Sequence, residues 1–183
     1  MFHPTVFDNV KVVLEGAVYD CDFEGAILVT DRSDIMDMAT FHRLFDIEFC
    51  LAHAAARDKP VTARIQLRTT LADIAAEQLE QPLTERIGCM ICIHFRMFIR
   101  DVAQEAAAIS RALNDIWGNR PHITQFVGAR LDEHWLRWPP ELYETRVTLD
   151  FQRKIDEGNI EDMRRLVDHC VASLDALEQL QRL

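Results

Sequence analysis

Strict alternation of apolar and polar positions is the strongest pattern in the chain. Between residues 86 and 100 the odd positions Ile87, Cys89, Ile91, Ile93, Phe95, Met97 and Ile99 are all apolar. The even positions carry Arg86, Gly88, Met90, Cys92, His94, Arg96, Phe98 and Arg100. Successive side chains of a strand point to opposite sides, so this run predicts a long strand with one greasy side and one mixed side. Two shorter runs repeat the scheme. Phe45, Ile47, Phe49 and Leu51 alternate with Asp46 and Glu48, and Val61, Ala63, Ile65 and Leu67 alternate with Arg64, Gln66 and Arg68. The intervening AHAAARDKP ends in Pro60 and can reverse the chain, which predicts a hairpin. Pairing odd with odd puts Asp46 and Glu48 on one side with Arg64 and Arg68, and a shift by two residues preserves that result.

Weaker strand signals lie at AILVT (26–30), HITQFVGARL (122–131) and the alternation Tyr143, Thr145, Val147, Leu149, Phe151. Helical spacing governs the rest. Over 5–20, Val6, Phe7, Val10, Val13, Leu14, Ala17 and Val18 form one stripe, with Thr5 as cap and Val12 as the misfit. SDIMDMA (33–39) reads as one helical turn capped by Ser33, and TLADIAAEQLE (70–80) as a short helix stopped by Pro82. Residues 101–118 form an Ala-rich helix closed by Gly118. From a cap at Asn159, residues Ile160, Met163, Val167, Cys170, Leu174 and Leu177 step as a heptad seam. Leu166, Val171 and Leu180 widen that seam into the face a helix needs to pack on its own sheet.

The element order is therefore α, β, β, β, short α, β, α, β, β, α. It predicts a single α+β domain: an antiparallel or mixed sheet of about six strands, with helices 5–20, 101–117 and 159–181 mostly against its apolar side. A chain of 183 residues with 49% hydrophobic and 27% charged residues fits that class. The net charge of −10 repels nucleic acid and anionic lipid, so neither is an expected partner. The start MFHPTVFDNV lacks a leader pattern, and no apolar run approaches the ~18 residues that cross a bilayer. Five scattered cysteines do not read as a disulfide framework, so a reduced cytosol is the expected setting. Of the 20 basic residues all but Lys11, Lys59 and Lys154 are arginine, the residue suited to planar, bidentate partners; genome base composition explains the same bias.

Candidate chemistry concentrates on the polar side of the sheet. Arg64, His94 and Arg96 there can bind an anionic ligand or a partner protein; cross-strand ion pairing on a wet face is the plainer reading. Met90 and Phe98 on the same side point to a cover, whether loop, helix or second subunit. The stretch EHWLRWPPELY (133–143) adds Trp135, Arg137 and Trp138, an aromatic and arginine combination typical of binding hot spots, unless the tryptophans fold back to plug the core. DCDFEGAILVTD (20–31) resembles an EF-hand loop in spacing, with Asp20, Asp22, Glu24, Gly25 and Asp31 at ligand-like positions. Glu24 is long for its place, Asp31 is short for its own, and AILVT reads as a strand, so a helix-to-strand turn is favoured over a calcium site. Cys89 and Cys92 have CxxC spacing, but a strand turns them to opposite sides. No zinc, phosphate-loop or serine-nucleophile motif occurs, so no metal and no cofactor is expected.

These features favour a non-catalytic binding module, homodimeric through the heptad seam or the semi-apolar polar side of the sheet. The rival is a small enzyme acting on an anionic metabolite through Arg64, Arg96 and His94. A cleft beside a carboxylate of shifted pKa would favour the enzyme, and a flat face covered by a second copy the binding module.

Overall fold

The computed structural model describes residues 5–79, 87–129 and 139–182. Helix α1 (Thr5–Phe23) leads into β1 (Ile27–Asp37), β2 (His42–Leu51) and β3 (Thr62–Thr69). Helix α2 (Leu71–Gln78), β4 (Cys89–Ile99), α3 (Val102–Trp117), β5 (His122–Gly128), β6 (Tyr143–Ile155) and α4 (Met163–Arg182) follow. The six strands form one antiparallel sheet in the order β1-β2-β3-β4-β6-β5. The element order and the α+β class agree with the hydrophobic pattern.

Parity decides which side is greasy. Phe45, Ile47, Phe49, Ile65, Leu67, Ile93, Phe95, Val147 and Leu149 are all buried on the odd side. Helix α4 lies there over β2, β3 and β4, with α1 toward β1 and β3 and α3 over β5. The β2–β3 register is odd on odd: Phe45 faces Leu67, Ile47 faces Ile65 and Phe49 faces Ala63. A 3-10 turn at Ala52–Ala54 begins the reversal between these strands.

Four expectations need correction. Residues 33–37 are not a helical turn but the second half of β1, paired with Asp46–His42 of β2. The register shifts between Val29 and Asp31, and that shift exchanges the faces of β1. Arg32 then meets Glu15 of α1 at 2.7 Å, and Asp34 meets Lys11 at 2.8 Å and Arg43 at 3.1 Å. Cross-strand and ion-pair partners outweigh a local turn preference that summed only near neighbours. Second, Asn159 does not cap the last helix. A 3-10 turn (Glu157–Asp162) capped by Asp156 precedes α4, with Asn159 inside that turn. Third, the heptad seam is not a surface. Val167, Cys170, Leu174 and Leu177 are fully buried against the chain's own sheet, and Leu166, Val171 and Leu180 pack beside them. Fourth, Val13 is exposed together with Val12, while Cys21 extends the buried stripe of α1.

Residues 20–23 are the last residues of α1, and Gly25 at φ +76 turns the chain directly into β1. The segment with calcium-loop spacing therefore has the helix-to-strand form. Among the described residues no group of three or more His, Cys, Asp or Glu is placed to hold a metal ion, and no helix is long and apolar enough to cross a membrane.

At one end of the sheet α2 joins three elements. Glu77 accepts hydrogen bonds from the Thr5 and Val6 N–H groups at the start of α1. Asp73 accepts from the Thr70 hydroxyl at 2.6 Å, the Gly88 N–H at 3.2 Å and the Lys154 ammonium. Burial pushes the Asp73 carboxyl up, but these donors outweigh it and hold the group below the usual carboxylate range.

Candidate functional face

With α1, α3 and α4 on the odd side, no helix among the described residues lies across the even side of the sheet. Three rows of side chains cross it, each defined by direct strand pairing. The central row is Asp31, Glu48, Arg64, His94, Thr148 and Thr124. Beside it runs Ser33, Asp46, Gln66, Cys92, Asp150 and His122. On its other side run Leu28, Cys50, Thr62, Arg96, Arg146 and Phe126.

The fold thus brings Arg64, His94 and Arg96 together. Arg64 and His94 are direct cross-strand partners, and Arg96 is diagonal to Arg64. Trp135, Arg137 and Trp138 lie outside the described residues. Parity alone places the three sheet residues. It misses Thr148 and the depth of Asp46, because both depend on which strands become neighbours.

Most charges on the face are already engaged. The Arg64 guanidinium donates twice to Glu48 Oε2, at 3.0 and 3.1 Å, and lies 3.6 Å from Asp31. Gln66 Nε2 donates to Asp46 Oδ1 at 3.0 Å, which satisfies a carboxylate that is only 7% exposed. Arg146 donates to Glu144 at 2.6 Å from its exposed side chain. Arg96 differs. It is exposed, it forms no ion pair among the described residues, and its direct neighbour on β6 is Arg146. Like charges at directly opposite positions disfavour the sheet, so a counter-anion there would be stabilising.

His94 Nδ1 lies 3.0 Å from Thr148 Oγ1, and the residue is half-buried. Burial lowers its pKa from 6.5, the Asp46 charge opposes that shift, and Arg64 adds to it. The folded value lies below the unfolded one, so the unfolded chain takes up the proton first as pH falls. Stability should therefore drop as pH falls below about 6.5, down to the folded pKa, and His94→Gln should flatten that part of the profile. Urea unfolding of both proteins between pH 7.5 and about 5, with an NMR titration of the ring, measures this. A His94 pKa above 6.5 would reverse the sign.

Cys92 sits beside His94 on the same face, while Cys89 faces the core, so the two thiols are not neighbours. Burial pushes the Cys92 thiol up, the Asp150 charge adds to that, and Arg68 only partly offsets it. A raised thiol is a poor nucleophile. Cys89 is pushed up to about 12 by burial first and Asp73 next. A recess lined by Phe7, Asp73, Glu77 and Cys89 lies at the sheet end near α1 and α2, and its two carboxylates already accept hydrogen bonds.

The chain matches no protein-family model, no curated protein and no solved structure.

Proposed function

We propose that this chain is a non-catalytic binding module that works as a homodimer and holds an anionic ligand, or an anionic group of a partner, on the even side of its sheet. Arg64, His94 and Arg96 are the contact residues, and Trp135, Arg137 and Trp138 are further candidates on sequence grounds. The observation that carries the reading is Arg96: an exposed guanidinium set opposite Arg146, with no carboxylate of its own among the described residues. Support for binding over catalysis comes from the neighbours. Asp46 and Glu48 are committed to Gln66 and Arg64, and Cys92 is held as a thiol. A reduced, cytosolic setting is part of the same proposal, on the ground of five scattered cysteines with no framework spacing.

The test is a thermal-shift series with phosphate, citrate and chloride at matched ionic strength, on wild type, Arg64→Gln and Arg96→Gln. A ligand that binds only the folded state stabilises it by about 2.7 kcal/mol at 100 times its dissociation constant. Phosphate or citrate should raise the melting temperature of wild type above the chloride control, and Arg96→Gln should abolish most of that rise. An identical response in wild type and Arg96→Gln would remove Arg96 from the site and the reading with it.

A further inference from the structure

The two edges of the sheet are built differently. Edge strand β1 carries Asp31, Arg32, Asp34 and Asp37 and breaks its register near Val29, both of which discourage another strand from pairing there. Edge strand β5, HITQFVG, has no Asp, Glu, Lys or Arg. It is rich in residues that favour strands. Phe126, next to its central Gln125, is 68% exposed on the even side, and among the described residues no strand bonds its outer edge. We propose that β5 pairs with β5 of a second copy of this chain, antiparallel about Gln125, so that the two sheets run on into one. The inference rests on the self-association proposed above and names its surface.

The sequence of β5 complements itself about that centre. With Gln125 opposite the partner's Gln125, Ile123 meets the partner's Val127 on the helix side. Thr124 meets the partner's Phe126 on the even side, and His122 meets the partner's Gly128. Branched or threonine side chains opposite an aromatic or another branched residue are favourable cross-strand pairs. The pairing also covers the exposed Phe126 ring, whose Cε1 lies 3.2 Å from where a Cβ on Gly128 would sit. A two-fold axis perpendicular to the sheet makes the contact isologous and closed, and it keeps the helices of both copies on one side.

Two further observations fall on the same axis. Gln125 Nε2 donates to the Ala106 carbonyl at 2.8 Å and to Ser110 Oγ at 2.7 Å, while its Oε1 is buried with no partner. An unmet buried acceptor beside an open edge is what contact with a second strand can relieve. Above β5, Ala106 and Ser110 of α3 hang over Gln125, and the helical step outward brings Ala103 and Ala107, both exposed, toward the edge. Small residues there let the two α3 helices approach closely. The even faces then join across the axis, and Arg96 and Arg146 of both copies share one continuous surface.

Sedimentation velocity over a wide concentration range tests the inference, using wild type, Thr124→Lys and Phe126→Lys. Wild type should reach twice the 21.2 kDa chain mass, and both lysine variants should stay at one chain with an unchanged far-UV spectrum. Amide exchange in wild type supplies a second measurement should a variant fold poorly: residues 122–128 should exchange more slowly as concentration rises. A wild type that stays at one chain throughout would sink both this inference and the homodimer of the proposed function. A dimer that survives both lysine substitutions, with exchange in 122–128 independent of concentration, would overturn the β5 contact and leave self-association standing.

Discussion

Leu174→Ala should lower the unfolding free energy by about 2–5 kcal/mol, the range for removing a fully buried leucine side chain. Leu174 is 0% exposed in α4, the helix that lies over β2, β3 and β4. Its neighbours along the helix, Cys170 and Leu177, are equally buried, so a cavity there cannot refill with water or collapse onto a free surface. Urea unfolding should show a lower midpoint with an unchanged slope. The loss should also be the same at every protein concentration, because the seam is sealed within one chain. A loss that shrank on concentrating the protein would mean that α4 packs between copies instead. A cost below about 1 kcal/mol would contradict the burial itself.

Gly88→Ala should be nearly as damaging, by roughly 2–4 kcal/mol, through strain and overpacking rather than a cavity. Gly88 has φ +145, a region that side-chain-bearing residues rarely enter, and a Cβ there would lie 2.4 Å from the Ile155 carbonyl oxygen. Neither partner can step aside. The next pair in the ladder, Cys89 with Ile155, is buried on both strands, and the Gly88 N–H is bonded to Asp73. Gly16→Ala supplies the control: it lies mid-helix in α1 with nothing within 4 Å of a new Cβ. That change should stabilise by about 0.5–1 kcal/mol. Equal effects of the two substitutions in thermal and urea unfolding would refute the close approach of β4 and β6.

Most of this architecture was legible because parity is a local property. Ile91, Ile93, Phe95 and Met97 announce their own facing, and the β2–β3 hairpin inherits its register from the same rule. The failure at residues 33–37 has a physical cause. The second half of β1 has weak alternation of its own, and it becomes a strand because β2 supplies hydrogen bonds and Lys11, Glu15 and Arg43 supply charges. None of those partners is visible in a window of seven residues. The candidate face divides in the same way. Parity puts Arg64, His94 and Arg96 on one side, but the opposition of Arg96 to Arg146 depends on β6 inserting between β4 and β5. Strand order is a global outcome, and no short pattern encodes it.

The distribution of cysteines gives the molecule a built-in reporter. Cys21, Cys50, Cys89 and Cys170 are buried, whereas Cys92 is partly accessible at the middle of the even face. A maleimide dye added to the native protein at mildly alkaline pH should therefore label Cys92 before the other four thiols, slowly because burial keeps it protonated, and without any engineering of the chain. Its quenching would then register occupancy of the Arg64, His94 and Arg96 surface, and the slow uptake of label by the four interior thiols would time how often the domain opens.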